Sequence, residues 1–324
     1  MTRPVFPEAI ALLRSVAEVR VWPEELPPPY ETLRREAEDA AGLFTLLTDR
    51  VDRPLLEAAP RLRVVSNMAV GYDNIDVEAA TALSVYVGNT PGVLTETAAD
   101  FAFALMAAWA RRIPQGQAFA RGGGWRAWEP MLLLGVDLHG ATLGIVGLGR
   151  IGLALARRAR GFGMTVLYHS RTRKPGAERD LRIEWAADLP TLLRRADFVS
   201  LHVPRTAQTR HLIGEAELRA MRPTAVLVNT ARGDVVDQGA LRRALQERRI
   251  AGAALDVTDP EPLPPDDPLY RMDNVLITPH IASASRATRL KMATMAAQNI
   301  VDTLSGRRPT HCVNPECRPR PPRR

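Results

Sequence analysis

Cysteine is scarce in this chain, and its two residues stand close together near the C-terminus. Cys312 and Cys317 cannot form a disulfide framework for a fold of 324 residues. His311, next to Cys312, leaves a metal site open as an alternative. We predict free thiols on a mobile tail instead, and no metal site.

Long apolar runs are also missing. The longest clean run, Phe101 to Ala110, falls far short of the roughly 20 residues that span a bilayer. The first residues, MTRPVFPEAIALL, lack the basic region, apolar core and small-residue cleavage site of a secretory signal. We therefore predict a cytoplasmic protein with no membrane segment.

Acidic residues are outnumbered, and the formal net charge is +7. Arginine crowds the C-terminal end, at Arg307, Arg308, Arg318, Arg320, Arg323 and Arg324. Such a charge could attract nucleic acid, but no nucleic-acid motif accompanies it. We predict that residues 317–324 form a disordered basic tail and that nucleic acid is not a partner.

The chain is too long for one typical core and fits two domains. Apolar runs that predict strands alternate with helical segments, at residues 19–22, 62–67, 142–146, 164–168, 198–203, 225–229, 252–257 and 275–278. This alternation predicts an α/β fold. We expect two Rossmann-like domains. A doubly wound parallel sheet in residues 97–283 would be inserted in a smaller flavodoxin-like domain, formed by residues 1–96 and 284–316.

One stretch carries a dinucleotide-binding pattern. The apolar run 142–146 leads into a glycine fingerprint, and a helical segment and the apolar run 164–168 follow it. The first glycine of such a motif allows a tight turn, the second lets the backbone approach a pyrophosphate, and the third lets the helix pack on the strand. The N–H groups at the start of the helix then face the phosphates. The fingerprint residues are Gly147, Leu148, Gly149, Arg150, Ile151 and Gly152.

The end of the second strand indicates which nicotinamide dinucleotide binds. An Asp or Glu at this place holds the ribose 2′-hydroxyl of NAD(H) and would repel the 2′-phosphate of NADP(H). This chain has Ser170 there, followed by Arg171 and Thr172, and no carboxylate. Because Arg171 can form charge-assisted hydrogen bonds with a phosphate, we predict NADP(H) as the preferred coenzyme and keep NAD(H) as the alternative.

Three ionisable side chains, Arg232, Glu261 and His280, follow predicted strands of the same sheet. Ligands of a doubly wound sheet bind beyond the C-terminal ends of its strands. The planar fork of arginine suits a carboxylate, and histidine suits proton donation to a developing alkoxide near neutral pH. A carboxylate bonded to the imidazole stabilises its protonated form. The three side chains therefore fit the reduction of a 2-oxo acid.

Four motifs, in this order, resemble the D-isomer-specific 2-hydroxyacid dehydrogenases, and most of all their glyoxylate/hydroxypyruvate reductase branch. They are Leu148 to Gly152, Asn229 to Gly233, Leu255 to Leu263 and Thr278 to Ala284. The resemblance covers nearly the whole chain. It implies NADPH-dependent reduction of glyoxylate to glycolate and of hydroxypyruvate to D-glycerate. The alternatives are a 3-phosphoglycerate or other D-2-hydroxyacid dehydrogenase and, in another class, a coenzyme-sensing transcriptional corepressor.

The resemblance also implies roles for individual residues. His280 would be the acid and base, Glu261 its partner, and Arg232 the group that binds the substrate carboxylate and carbonyl oxygen. The backbone amides of Val70 and Gly71 would hold the substrate carboxylate. Further residues expected at the substrate or coenzyme are Ser283, His202, Val203, Pro204, Thr230, Ala231, Ala282 and Asp256, the last of these at the nicotinamide carboxamide.

Three other features follow from the same comparison. The segment Trp128 to Leu133 is similar to one that reaches the neighbouring subunit's active site in this branch, which implies a homodimer. The family usually has an apolar strand just before the match to Thr2, so that strand is either upstream or missing, and its absence would leave an edge beside Gly71. Ala282 stands where glycine is common, and its methyl group could narrow the coenzyme site.

Overall fold

The computed structural model describes residues 1–318, and these form two compact units. Unit 1 consists of Met1–Leu94 together with the chain from Ala284 onward, and unit 2 of Thr95–Ser283. Among the described residues, no helix combines the length and the apolar character needed to cross a bilayer.

Unit 1 is built on a small parallel sheet with the strand order β1-β2-β3. The strands β2 and β3 are buried along their whole length, as expected for a sheet covered on both faces. Asp52 and Asp76 cap the helices α3 and α4 by accepting from the backbone N–H groups of Leu55 and Ala79. The elements are α1 (Pro7–Arg14), α2 (Tyr30–Ala37), β1 (Gly42–Thr45), α3 (Arg53–Ala58), β2 (Val64–Asn67), α4 (Val77–Ala82), β3 (Tyr86–Gly88) and α12 (Arg286–Leu304).

The N-terminal residues extend this sheet without forming regular strands. Thr2 N–H donates to the Phe44 carbonyl of β1, and Trp22 N–H donates to the Met1 carbonyl. The predicted strand at residues 19–22 is therefore wrong as a strand, because single hydrogen bonds replace a ladder. The backbone at Met1 nevertheless lies between β1 and residues 20–22, so these residues cover the β1 edge of the sheet.

Cys312 and Cys317 are free thiols, as predicted, but the predicted mobile tail is wrong for both of them. Cys312 pairs with Gly88 across an antiparallel bridge, and Cys317 is only 5% exposed within the core of unit 1. The Asn314 side chain holds this segment, donating to the Val85 carbonyl and accepting from Val87 N–H. Burial raises the pKa of the Cys317 thiol to about 11, so it stays protonated at neutral pH. The rest of the predicted basic tail, residues 319–324, lies outside the described residues.

Unit 2 is a seven-stranded parallel sheet with the order β10-β9-β8-β7-β4-β5-β6. Two apolar cores cover it, one with α9, α10 and α11 and one with α5 and α7. This doubly wound arrangement confirms the predicted fold class. The elements are α5 (Thr95–Ala110), α6 (Ile113–Arg121), β4 (Thr142–Val146), α7 (Arg150–Gly161), β5 (Thr165–His169), α8 (Pro175–Leu181), β6 (Glu184–Trp185), α9 (Leu189–Arg195), β7 (Phe198–Leu201), α10 (Glu215–Ala220), β8 (Val226–Asn229), α11 (Gln238–Gln246), β9 (Gly252–Leu255) and β10 (Val275–Ile277).

The strand order reverses between β4 and β7, which is where a doubly wound sheet opens a crevice for ligands. Three predicted strands run too far, because β7, β9 and β10 end at Leu201, Leu255 and Ile277. The residues beyond these ends turn out of the sheet and form the loops described below.

Candidate active site

The turn between β4 and α7 has the backbone that the glycine fingerprint predicts. Gly147 has φ +96°, a value that side chains rarely allow, and a Cβ atom there would lie 2.8 Å from the His202 carbonyl oxygen. A Cβ atom on Gly152 would lie 2.4 Å from the Gly147 carbonyl oxygen, so helix and turn are in close contact. A Cβ atom on Gly149, by contrast, would lie within 4 Å of no described residue apart from its chain neighbours.

The start of α7 is a ready site for an anion. Gly149 is the N-cap residue and has no side chain to accept from the first N–H groups of the helix. These groups and the open space at Gly149 fit a pyrophosphate, which the partial positive charge of the helix end would attract. Leu148 is buried in the core, while Arg150 and Ile151 begin the helix.

The loop after β5 offers no carboxylate to a coenzyme ribose. Ser170 Oγ donates to the Thr172 carbonyl at 2.7 Å, which closes a tight turn around Arg171. Arg171 is exposed, and it forms no ion pair with any residue in 1–318. Its guanidinium is therefore available to an external anion.

Two further side chains lie at the strand ends next to the glycine turn. The His202 ring Nε2 is 2.8 Å from Ser200 Oγ, and burial lowers the pKa of His202 to about 4, so the ring is neutral at neutral pH. Thr230 Oγ1 is buried and has no hydrogen-bond partner within the described part of the chain. A buried hydroxyl of this kind is one that a bound ligand can satisfy. Val203 and Ala231 are half-buried, and Pro204 is exposed.

Glu261 and His280 form the central hydrogen bond of the site. His280 Nδ1 lies 2.6 Å from Glu261 Oε1, and both side chains are partly open to solvent. His280 itself has a left-handed backbone with φ +54°, which an unsupported histidine rarely adopts. Neighbouring groups must therefore stabilise the left-handed conformation of His280.

That support comes from Asp256, which is 1% exposed at the end of β9. Its carboxylate accepts from Thr278 Oγ1 at 2.7 Å, Ile281 N–H at 2.9 Å and Ala282 N–H at 2.8 Å. The Asp256 carbonyl also accepts from His280 N–H. Burial raises the pKa of Asp256, while these donors favour the charged form. Asp256 thus fixes the loop on both sides of His280, a role that the sequence analysis did not assign. Ala282 is buried and Ser283 half-buried at the end of this loop.

Arg232 lies on the neighbouring loop after β8. Asn229 holds this loop by accepting from Ala231 N–H at 3.0 Å and donating to the Arg232 carbonyl at 2.8 Å. A Cβ atom on Gly233 would lie 1.9 Å from the Thr258 carbonyl oxygen, so only glycine lets the Arg232 loop pack against the loop that leads to Glu261. Arg232, Asp256, Glu261 and His280 therefore share one edge of the sheet with the glycine turn.

Val70 and Gly71 lie in unit 1, after β2, where asparagine side chains hold their peptide groups. Asn89 Nδ2 donates to the Val70 carbonyl at 2.8 Å, and Asn67 Nδ2 donates to the Gly71 carbonyl at 2.9 Å. With both carbonyls engaged, the N–H groups of Val70 and Gly71 make no hydrogen bond to any described residue. Adjacent free N–H groups of this kind bind anions. Asn67 and Asn89 were not predicted as site residues, although Asn67 ends the buried strand β2 and Asn89 directly follows the buried strand β3.

Comparison with known proteins identifies the family. Residues 103–282 match the model of the D-isomer specific 2-hydroxyacid dehydrogenase, NAD binding domain. This chain belongs to the D-isomer-specific 2-hydroxyacid dehydrogenases. It is therefore an oxidoreductase with a nicotinamide dinucleotide as coenzyme, which confirms the predicted enzyme class over the corepressor alternative.

Individual members of the family are similar over nearly the full length. The glyoxylate reductase of Aeropyrum pernix is 54% identical over 98% of this chain and 95% of its own length. A crystal structure of a protein from Thermus thermophilus superposes with a TM-score of 0.91, at 48% identity over 96% of this chain and 98% of the other. An NADPH-dependent glyoxylate/hydroxypyruvate reductase from Sinorhizobium meliloti, solved with NADP and malonate, has a TM-score of 0.88 at 34% identity, over 99% of this chain and 98% of the other. These relatives confirm the predicted membership of the glyoxylate reductase branch.

Proposed function

We propose that this 2-hydroxyacid dehydrogenase reduces small 2-oxo acids with NADPH, glyoxylate to glycolate and hydroxypyruvate to D-glycerate. The observation that carries the proposal is the Glu261–His280 hydrogen bond, on the same sheet edge as Arg232 and the glycine turn. The names of the relatives from Aeropyrum pernix and Sinorhizobium meliloti support the choice of substrates. Unit 2 would be the coenzyme domain and unit 1 the substrate domain.

The coenzyme would be held by unit 2. Gly147, Gly149 and the first N–H groups of α7 would receive the pyrophosphate, and Thr230 and Asp256 would meet the nicotinamide half. When bound there, the reduced nicotinamide supplies a hydride to the substrate carbonyl carbon. The remaining steps belong to side chains and amides of this chain.

His280 would supply the proton. Because its Nδ1 faces the Glu261 carboxylate, Nε2 is the ring atom left to donate to the developing alkoxide. Glu261 holds the ring in one orientation through this hydrogen bond. Arg232 would bind the carboxylate and carbonyl oxygen of the substrate through its planar guanidinium. In unit 1, the N–H groups of Val70 and Gly71 would bind a substrate carboxylate. Ser283 would lie close to the substrate.

The coenzyme preference rests on the loop after β5. Arg171 would donate hydrogen bonds to the 2′-phosphate of NADPH, and the bond from the Ser170 hydroxyl to the Thr172 carbonyl would fix the turn that presents Arg171. The NADP complex of the Sinorhizobium meliloti reductase supports this choice.

The segment between α6 and β4 supports a homodimer. Its large apolar side chains are exposed within unit 2, and Trp128 is the most open of them at 83%. Trp125, Met131 and Leu134 of this segment are exposed as well, and so is Ile113 at the start of α6. We infer that a second copy of the chain covers them. Light scattering should give twice the 35.6 kDa mass of one chain, and a single-chain mass would contradict this inference.

Replacing His280 by Ala should remove most of the turnover and spare coenzyme binding. Proton transfer by a positioned side chain typically contributes about 100- to 10,000-fold, so kcat for glyoxylate reduction should fall by that factor. NADPH oxidation with glyoxylate and hydroxypyruvate gives kcat, and NADPH fluorescence gives the coenzyme Kd. His139→Ala, which changes an exposed histidine of the same unit, is the matched control. Wild-type kcat in His280→Ala would refute the proposed role.

The double substitution Ser170→Asp with Arg171→Ala should reverse the coenzyme preference. The new carboxylate repels a 2′-phosphate and can accept from a ribose hydroxyl, so KM should rise for NADPH and fall for NADH. Steady-state kinetics with both coenzymes at saturating glyoxylate checks this. Arg195→Ala, which removes a positive charge elsewhere in unit 2, should change neither KM. An unchanged NADPH preference in the double variant would show that the loop does not select the coenzyme.

A further inference from the structure

A cluster of four side chains lies under the loop that carries Ser170 and Arg171. Tyr168 belongs to β5, Arg173 ends the loop, Glu178 lies on α8 and Trp185 on β6. None of them belongs to the site residues described above. Hydrogen bonds and a cation–π contact within unit 2 join the four side chains.

Tyr168 ties down the far end of the loop. Its side chain is fully buried, and its hydroxyl accepts from Lys174 N–H at 2.7 Å while donating to Glu178 Oε1 at 2.7 Å. The near end is fixed by β5, where the His169 carbonyl accepts from Gly147 N–H. The loop from residue 169 to residue 174 is therefore held at both ends, once to the glycine turn and once to the Tyr168 hydroxyl.

Arg173 is fully engaged and differs in this from Arg171. Its Nη2 lies 2.8 Å from Glu178 Oε2 and its Nε 3.0 Å from Oε1, a two-pronged ion pair. Its guanidinium also stacks on the Trp185 ring at 5.1 Å. Together with the Tyr168 hydroxyl, it lowers the pKa of Glu178 to about 2. Arg173 thus neutralises a carboxylate that lies at the base of the loop, where an uncovered negative charge would repel a phosphate.

We propose that Tyr168, Arg173, Glu178 and Trp185 are positioning residues for coenzyme selection. They fix the loop so that Arg171 meets the 2′-phosphate, and they keep the charge of Glu178 covered. Arg173 therefore acts through Glu178 and does not touch the phosphate. This inference rests on the proposed preference for NADPH.

A double-mutant cycle on Arg173 and Glu178 tests the proposal. Arg173→Ala uncovers the carboxylate and should raise KM for NADPH by about fivefold, the effect of a repulsion of about 1 kcal/mol between two charges in water. KM for NADH and kcat with either coenzyme should stay within about twofold, as is typical of changes at exposed ion pairs. Adding Glu178→Gln removes the uncovered charge, so the double variant should recover most of the NADPH affinity. A direct contact of Arg173 with the phosphate predicts no such recovery and would overturn the proposal.

A second variant, Tyr168→Phe, and a control, Glu184→Gln, test whether a general loss of structure explains the result. Tyr168→Phe keeps the buried ring but frees Lys174 N–H, and it should raise KM for NADPH alone. Glu184→Gln breaks a similar two-pronged pair, between Glu184 on β6 and Arg195 on α9, and should leave both KM values unchanged. Equal rises in KM for NADPH and NADH, in either Arg173→Ala or Tyr168→Phe, would mean a merely structural role and would overturn the proposal.

Comparing Arg171→Ala with Arg173→Ala separates an error in the proposed NADPH contact from an error in the positioning role. Arg171→Ala tests the phosphate contact itself. If it leaves KM for NADPH unchanged while Arg173→Ala still raises it selectively, the contact assigned to Arg171 is wrong, and of the proposed roles only the covering of the Glu178 charge by Arg173 stands. If Arg171→Ala raises KM for NADPH and Arg173→Ala does not, the proposed coenzyme preference stands and the positioning role is refuted.

Discussion

The site in unit 2 depends on one buried carboxylate. Asp256 accepts from Thr278, Ile281 and Ala282, and these bonds fix the left-handed turn at His280. The conformation of this turn places His280 Nδ1 2.6 Å from Glu261 Oε1. Burying a carboxylate costs free energy unless the group is well hydrogen-bonded. The Asp256 carboxylate therefore requires its three donors, and this requirement fixes the geometry of the His280 loop.

The parallel sheet brings the other groups to the same edge. Because β4, β8 and β9 run in the same direction, the glycine turn, the Arg232 loop and Asp256 follow their C-terminal ends. Gly147 and Gly233 permit close backbone contacts there, with the His202 carbonyl in one case and the Thr258 carbonyl in the other. The parallel strand direction thus brings the site residues to one edge of the sheet. Gly147 and Gly233 allow the close backbone contacts there, because a side chain at either position would not fit.

The sequence was sufficient for the fold class, the family and the strand-end residues, because glycine spacing and buried strands leave strong local patterns. It was not sufficient for Asn67 and Asn89, or for the way Asp256 fixes the His280 loop, because these side chains bond backbone groups of loops whose course leaves no local pattern. It was misleading for Cys312 and Cys317. Their Pro- and Arg-rich surroundings resemble a disordered tail, yet the Asn314 side chain binds the segment to β3. It also placed a strand at residues 19–22, where apolar residues make only isolated backbone bonds.

The most direct test of this account is the replacement of Asp256 by Asn, with kcat measured at saturating NADPH and glyoxylate. The amide loses an acceptor that faces backbone N–H groups, so the His280 loop should relax and kcat should fall on the order of 100-fold. Asp302→Asn is the control, since Asp302 is also a buried carboxylate, in unit 1, that accepts from Thr310 and Arg307. It should lower stability and leave kcat within about twofold of wild type. A wild-type kcat in Asp256→Asn would contradict the dependence of the site on this carboxylate.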